Sequence, residues 1–481
     1  MKRFYISTAI PYVNGDPHIG HGFEYIFTDA VARYYRNALD TDHVFFLTGS
    51  DENSLKNVRA AEDAGEEVES FVVRHAQEFR GLKEVLNLTF DEFIRTREDR
   101  HMRGAQKLWS ACKSEDIYKK LYRGLYCVGC ETFYTEKEVP DAVCPEHKKP
   151  LEVVEEENYF FKLSNYQTHI EQLIETDTIR IVPQSRKNEV LSFIRQGLED
   201  FSISRSQERA KHWGVTVPGD ESQVMYVWFD ALSNYITGLG YADGTQLYKK
   251  FWLENDCRAH VIGKGILRFH AVYWPAMLLS AGIPLPHEIF VHGYITVEGE
   301  KMSKSLGNVI HPKTLVEEYG VDAVRYFFLR EIPSYGDGDY SKQRMEDRYA
   351  ELANQLGNLI GRVSTMAVKN FDGKLDDTKP DWTSLNQTLE THMRDYDLRS
   401  YIDEIFNIVA EANDLIDKKA PFKLVKTDPV LAKEILSQLA DKIRFVARAL
   451  LPIIPQGASE ILRRYGTIIQ TGEPLFPRRD L

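Results

Sequence analysis

The N-terminal segment restricts the possible folds more than any other stretch of the chain. Phe4-Tyr5-Ile6-Ser7-Thr8-Ala9-Ile10 is rich in β-branched and aromatic residues, Pro11, Asn14-Gly15 and Pro17 then break it, and an amphipathic run extends from Gly20 to about Leu39. The reading is strand, loop, helix. In such a unit the free N–H groups and the positive end of the helix favour an anion above the strand's C-terminal edge. His18 and His21 flank the helix start, where an imidazole can donate to a phosphate oxygen, and Gly20 has no side chain to keep a flat ring off the backbone.

The same alternation continues along the chain. A β-rich His43-Val44-Phe45-Phe46-Leu47 precedes Thr48-Gly49-Ser50-Asp51, so residues 1–115 read as the first half of a doubly wound, parallel-sheet (Rossmann-like) α/β domain. The pattern resumes at Met225 and runs through Val261-Ile262-Gly263 and Ile289-Phe290-Val291, which makes 225–330 the second half. Residues 116–224 change to short strands, knuckles and acidic loops such as Glu155-Glu156-Glu157, the mark of an inserted module. A polar linker over 331–347, containing Ser334-Tyr335-Gly336-Asp337-Gly338-Asp339, carries the junction with a mobile loop. From 348 to 481 the period is helical, with Leu352, Leu356, Leu359, Ile360 and Val363 on one face, and an α-helical bundle is predicted.

The loop preceding that linker contains Lys301-Met302-Ser303-Lys304-Ser305, with Gly299 before it and Gly307 after it. Flanking glycines leave the backbone free to move, so the ammonium groups of Lys301 and Lys304 can arrive late at a reacting phosphate. Nucleotidyl transfer depends on positioning and charge stabilisation, so a cation placed this way favours the transition state selectively. Together with Pro17-His18-Ile19-Gly20-His21 the motif describes a triphosphate clamp, one part a fixed floor and the other a hinged lid.

Composition narrows the class. With 481 residues and 43% hydrophobic content, the chain has material for two or three domains with their own cores. No apolar run approaches the roughly 18 residues of a membrane span, and Pro11 and Asn14 cut the N-terminal apolar stretch before a signal-peptide core forms, so a cytoplasmic protein with no membrane partner is expected. A net charge of −12 argues against indiscriminate nucleic-acid affinity, and any RNA contact must use local patches such as Lys418-Lys419, Lys423 with Lys426, or Arg463-Arg464.

Three of the five cysteines cluster as Cys127-Val128-Gly129-Cys130 and, thirteen residues on, Cys144-Pro145-Glu146-His147. Two short knuckles supply four soft donors at the tetrahedral spacing zinc takes, and four protein ligands leave no open position, so Cys127, Cys130, Cys144 and His147 predict a structural zinc. A redox dithiol at Cys127 and Cys130 is the competing reading. Cys112 and Cys257 read as ordinary buried thiols.

The two nucleotide motifs, in this order, resemble the signature of class I aminoacyl-tRNA synthetases. Within that class Ala9-Ile10-Pro11-Tyr12, Tyr226-Val227-Trp228-Phe229-Asp230-Ala231-Leu232 and Phe269-His270-Ala271-Val272-Tyr273-Trp274-Pro275-Ala276-Met277 are similar to methionyl-tRNA synthetases, and the resemblance covers nearly the whole chain. It implies activation of L-methionine by ATP with Mg2+ and transfer to tRNA(Met). His18, His21, Lys301 and Lys304 would be catalytic, with Gly20 and Gly263 also on the ATP. Ile10, Tyr12, Trp228, Ala231, Leu232, Tyr235, Ile266, His270 and Trp274 would line the methionine slot, and Asp51 would take the substrate ammonium. An apolar, aromatic slot suits an unbranched thioether that offers no strong hydrogen-bonding group.

The resemblance further implies that Asn358 and Arg362 read the anticodon, with Phe422 where a tryptophan usually stacks on a base, so the bundle would be an anticodon-binding domain. The chain departs from the family at Gly265, where an acidic residue is usual, and at Asn53, where a histidine is common. The alternatives are another class I synthetase, for cysteine or an aliphatic amino acid, and a catalytically silent tRNA-binding relative. The insertion is too short for the editing domain of the aliphatic enzymes, and the end at Leu481 leads to the expectation of a monomer.

Overall fold

The computed structural model describes residues 2–129, 132–134, 139, 141–146, 148–303 and 307–477. The chain divides into two compact units, one of residues 1–17, 39–83 and 89–291, the other of 18–38, 84–88 and 292–481.

The strands of the first unit are β1 (Phe4–Thr8), β2 (Val44–Ser50), β3 (Glu92–Arg95), β4 (Ile117–Cys127), β5 (Thr132–Tyr134), β6 (Glu152–Phe161), β7 (Arg180–Val182), β8 (Phe201–Ser202), β9 (Ser204–Ser206), β10 (Thr216–Val217), β11 (Asp220–Met225), β12 (Arg258–Gly263) and β13 (Glu288–His292). Its main sheet is six-stranded in the order β3-β2-β1-β12-β13-β7. Strand β1 pairs in parallel with β2 and β12, β2 with β3, and β13 with β7. Residues Phe4–Thr8 and Val44–Ser50 are buried throughout, as strands covered on both faces by helices must be, which is why they read as continuous apolar runs and do not alternate.

Helices α1 (Ile19–Leu39), α2 (Leu55–Ala64), α3 (Val68–Val85) and α4 (Asp99–Ala111) follow the early strands, and α5 (Gln167–Glu175), α6 (Gln184–Arg195), α7 (Val227–Leu232), α8 (Asn234–Thr237), α9 (Gln246–Tyr248) and α10 (Trp274–Ala281) the later ones. The parallel sheet agrees with the predicted fold class. Segment 116–224 builds an antiparallel sheet of its own, β5-β4-β6-β8, in which Arg123 lies opposite Glu155 across the strands. The same segment also returns β7 to the edge of the main sheet, so it is not a wholly separate module.

In the second unit a small sheet, β14 (Ile295–Val297), β15 (Glu300–Lys301) and β16 (Gly338–Tyr340), precedes and flanks the helices. Glu298 and Gly299 both have positive φ, the geometry of a two-residue hairpin between β14 and β15. The segment expected to be a polar linker supplies β16, and Asp339 on it accepts hydrogen bonds from Thr296 Oγ1 at 2.6 Å and Gly299 N–H at 2.8 Å. The helices are α11 (Pro312–Tyr319), α12 (Val321–Glu331), α13 (Lys342–Glu351), α14 (Asn358–Phe371), α15 (Thr383–Arg394), α16 (Leu398–Lys419), α17 (Pro421–Thr427), α18 (Pro429–Leu450) and α19 (Pro455–Arg464).

A buried ion pair ties the helices of the second unit together. Arg325 on α12 and Asp29 on α1 meet at 2.7 Å with both side chains fully buried. The remaining guanidinium donors reach the carbonyls of Leu86, Pro452 and Ile453. A buried charge is tolerable only when paired and hydrogen-bonded in this way. Among the described residues no helix is long and apolar enough to cross a membrane.

Candidate functional site

In the first unit the strand order reverses between β1 and β12, and in open α/β sheets ligands bind beyond the carboxyl ends of the strands at such a point. Those ends carry Ile10 and Tyr12 after β1, Asp51 after β2 and Gly263 at the end of β12. The Asp51 N–H donates to the Pro11 carbonyl at 2.8 Å, Tyr12 and Asp51 form a parallel bridge, and Asn57 Nδ2 donates to the Asp51 carbonyl at 2.8 Å. Backbone pairing therefore fixes Asp51, which is buried, beside Tyr12.

Four of the predicted slot residues assemble into one aromatic wall. The Tyr235 hydroxyl lies 2.6 Å from His270 Nε2, the Tyr235 and Trp274 rings are 6.0 Å apart, and Trp228 meets His270 edge to face at 6.2 Å. His270 Nδ1 sits 2.9 Å from the Ile266 carbonyl, which accepts and cannot donate, so Nδ1 carries the proton and Nε2 accepts from Tyr235. Burial pushes the His270 pKa down to about 4, so the ring is neutral at pH 7. His270 sits in a π-helical turn, Phe269–Tyr273, just before α10, and such turns re-aim side chains within helices. Ala231 and Leu232 are buried on α7 next to Trp228, and Ile266 closes a short turn after Gly263 with exposed Gly265 inside it.

Sequence reasoning missed two members of this wall. Phe269 stacks flat on Trp228 at 3.9 Å. His260, fully buried on β12, lies 4.0 Å from the Tyr235 ring and bonds Ser7 Oγ through Nδ1 at 2.8 Å. A polar residue alone in the apolar run Ala259-His260-Val261-Ile262 was the available signal. Burial holds His260 well below the ordinary histidine pKa. Trp228 Nε1, Trp274 Nε1 and His260 Nε2 are buried without a hydrogen-bond partner among the described residues.

The second unit holds the nucleotide motifs. His18 and His21 stack with ring centroids 3.8 Å apart. The Gly20 N–H donates to His18 Nδ1 at 3.1 Å and the His18 N–H donates to His21 Nδ1 at 3.2 Å. With each Nδ1 accepting, each Nε2 carries the proton, so the pair presents two N–H donors. Burial lowers the His18 pKa to about 4, which makes it a neutral donor and not a cation. A Cβ on Gly20 would come within 2.9 Å of the His18 ring and 3.6 Å of Met302 Cε, so the glycine makes room for both.

Met302 thus brings the lysine motif against the histidine motif. The Ile19 N–H also donates to the Ile310 carbonyl at 3.0 Å, tying the helix start to the segment beyond the loop. Asn308 braces the loop from inside, accepting from the Ser303 N–H at 2.8 Å and donating to the Lys301 carbonyl at 3.2 Å. Lys301 is exposed, 6.0 Å from the Tyr294 ring. Lys304 lies outside the described residues.

In the bundle Asn358 opens α14 and is exposed, following a π-helical segment over Leu352–Gly357, while the predicted apolar face of Leu352, Leu356, Leu359, Ile360 and Val363 is buried. Arg362 Nη2 bonds Asp417 Oδ1 at 3.0 Å near the end of α16. The chain then turns at Ala420, in a left-handed conformation, into α17, whose Phe422 is 49% exposed. Arg362 is therefore linked to the turn that presents Phe422.

Cys127 and Cys144 are buried in one small cluster with Val139 and Leu151, and the Tyr134 hydroxyl lies 4.0 Å from Cys144 Sγ. Cys130 and His147 lie outside the described residues. Among the described residues no group of three or more His, Cys, Asp or Glu side chains could hold a metal. Cys112 and Cys257 are buried away from this cluster with burial raising both thiol pKa values, Cys112 to about 12, as inert thiols.

Comparison with known proteins decides the family. The model for tRNA synthetases class I (M) matches residues 4–364, and that for the anticodon binding domain of methionyl tRNA ligase matches 376–472. The chain belongs to the methionyl class I tRNA synthetases. Methionine–tRNA ligase of Brucella suis is 44% identical to it over 99% of this chain and 98% of its own length, and that of Rhizobium meliloti 42% over 99% and 98%. Mycobacterium tuberculosis methionyl-tRNA synthetase in complex with methionyl-adenylate superposes with a TM-score of 0.92 at 38% identity, covering 99% of this chain and all of that one. As a methionyl class I synthetase the chain combines a parallel-sheet catalytic region with a helical anticodon-binding domain, and the cysteine and aliphatic alternatives fall away.

Proposed function

We propose that the chain acts as a methionine–tRNA ligase. The methionine carboxylate attacks the α-phosphate of ATP, the bond to pyrophosphate breaks, and methionyl-adenylate forms. A ribose hydroxyl of the terminal adenosine of tRNA(Met) then attacks the activated carbonyl and AMP leaves. The observation that carries the reading is the packing of Met302 against Gly20, which draws the lysine loop onto the stacked histidines.

Each group has a role that its geometry supports. The Nε2–H donors of His18 and His21 bond phosphate oxygens, and His18, neutral above about pH 4, does this without the desolvation penalty of a buried cation. Gly20, where a Cβ would meet the His18 ring, and Gly263, at the end of β12, are each assigned to the ATP, whose Mg2+ would neutralise phosphate charge. The ammonium groups of Lys301, whose backbone Asn308 braces, and of Lys304 meet the pentavalent phosphate. Asp51 takes the methionine ammonium in a charge-assisted bond that orients the carboxylate. Ile10, Tyr12, Trp228, Ala231, Leu232, Tyr235, Ile266, His270 and Trp274 form the slot, where sulfur against an aromatic ring contributes about 0.3–1.5 kcal/mol.

In the bundle, Asn358 and Arg362 read the anticodon and Phe422 stacks on a base; Arg362 must release Asp417 to do so. Cys127, at the end of β4, and Cys144 are buried in one cluster, which suits half of a tetrahedral thiolate set, and with Cys130 and His147 they would hold a structural zinc that staples the insertion. The protein works in the cytoplasm as a monomer.

The test is methionine-dependent exchange of pyrophosphate into ATP. Exchange with methionine and not leucine is expected, and its absence, or equal exchange with leucine, removes the assignment. Lys304→Ala should depress the rate of adenylate formation while leaving methionine binding within about twofold.

A further inference from the structure

Asn53, one of the two positions at which the chain departs from its family, begins a buried hydrogen-bond relay that the slot residues do not include. Asn53 Nδ2 donates to Asp230 Oδ2 at 2.7 Å and to the Thr96 carbonyl at 3.1 Å. Both partners are acceptors, so the orientation of the amide is fixed. The other Asp230 oxygen lies 2.7 Å from His101 Nε2, and His101 Nδ1 lies 2.8 Å from Thr237 Oγ1. His101 therefore bridges the Asp230 carboxylate and the Thr237 hydroxyl, which also reaches the Asn234 carbonyl at 3.4 Å. Asp230 is thus held on one oxygen by the Asn53 amide, which donates to it, and on the other by His101. Asn53 is 6% exposed, Asp230 1%, and His101, Thr237 and Thr96 are fully buried, so water cannot stand in for a missing donor.

The relay touches the slot at three places. Asn53 is two residues beyond Asp51, Asp230 is two beyond Trp228 and adjoins Ala231, and Thr237 is two beyond Tyr235. The Thr96 hydroxyl, next to the carbonyl that Asn53 uses, accepts from the Glu52 N–H at 2.8 Å. One imidazole from α4 thus bridges the short helices α7 and α8, which carry Trp228 and Tyr235, and Asp230 on α7 joins them to Asn53 in the turn that follows Asp51.

We infer that Asn53, His101, Asp230 and Thr237 form a positioning relay that sets the distance between the ammonium-binding Asp51 and the aromatic wall, and so governs methionine recognition. None of the four need touch the substrate. The inference rests on the proposed methionine activation. At Asn53 any side chain with an N–H aimed at Asp230 serves, which explains how an asparagine works where a histidine is common. A carboxylate there does not serve, because two carboxylates at this separation cannot both ionise.

The experiment measures methionine and ATP KM values in pyrophosphate exchange for the full chain, for Asn53→Asp, Asn53→His and Thr237→Val, between pH 6 and 8.5. Asn53→Asp should raise the methionine KM about tenfold at pH 8.5 and much less at pH 6, where the pair shares a proton, and leave the ATP KM within about twofold. Asn53→His should restore the parent value across the range. Thr237→Val, which removes the hydroxyl facing His101 at nearly constant volume, should raise the methionine KM with no new pH dependence, and it carries the test if Asn53→Asp does not fold. Unchanged methionine KM values in the folded variants, or equal rises for methionine and ATP, overturn the relay. Absence of exchange in the parent chain overturns the proposed function instead.

Discussion

Replacing Tyr235 by phenylalanine isolates one hydrogen bond in the aromatic wall. The hydroxyl it removes lies 2.6 Å from His270 Nε2, and the other ring nitrogen is already engaged with the Ile266 carbonyl at 2.9 Å. His270 cannot turn its proton toward the vacated side without giving up the Ile266 bond, so Tyr235→Phe leaves a buried acceptor unsatisfied. Such a group costs about 1–3 kcal/mol, which corresponds to roughly a 5- to 150-fold rise in the methionine KM if the ring reorients to recover a partner. The ring volume and the contacts to Trp274 and His260 are retained, so packing is held constant. Pyrophosphate exchange gives the KM for methionine and for ATP separately, and urea denaturation gives the stability loss. The reasoning fails if the methionine KM is unchanged, or if both KM values rise by the same factor.

Low pH should destabilise the fold through its buried histidines. The folded chain keeps His18 and His270 neutral down to about 4, while an unfolded histidine takes up a proton near 6.5, so in that window the unfolded state binds more protons and stability falls as pH falls. Each ring contributes up to about 2 kcal/mol of loss at pH 5, read as a lower urea midpoint at pH 5 than at pH 7.5. Arg325→Met removes one cationic partner of the buried Asp29 while Arg33 stays 2.7 Å from it, and should lower stability by about 1.5–3 kcal/mol, seen in the same denaturation curves. Phe422→Ala should raise the tRNA KM by the equivalent of about 1–3 kcal/mol in aminoacylation and leave pyrophosphate exchange unaltered. Purified protein should release one zinc on denaturation, and Cys127→Ser should lower the melting temperature far more than it changes the methionine KM.

The parts of this molecule legible in its sequence are those whose signal is local. A strand run broken by Pro11 and Pro17 and followed by helical periodicity predicts β1 and α1 because backbone restriction and amphipathicity act over a few residues. Trp228, Tyr235, His270 and Trp274 are slot candidates on the resemblance of the runs around them to the family and not on any period of their own. What was not legible depends on partners distant in the chain. The strand Arg180–Val182 has too few residues to announce that it pairs with β13, a contact set by tertiary packing. Gly338–Tyr340 looks like a polar linker because its strand character comes from the Asp339 bonds to Thr296 and Gly299, which are invisible until the hairpin closes.

The same distinction explains why His101 escaped notice. It lies on α4 between charged residues, in Glu98-Asp99-Arg100-His101-Met102-Arg103, where the sequence suggests a solvated helix face. Its neighbours Asp99 and Arg103 do point outward, joined to each other at 2.8 Å, while His101 one step round the helix is fully buried against Asp230 and Thr237. A buried imidazole is stable there because each of its nitrogens meets a partner of the opposite kind, and those partners arrive from α7 and α8, more than a hundred residues later. Removing either partner leaves a polar atom stranded in the interior, so the arrangement works as a unit or not at all. Family resemblance puts forward the candidate slot residues. The residues that hold those in place are selected by complementarity across the fold, and they come into view only when the donors and acceptors around each buried polar atom are followed to their ends.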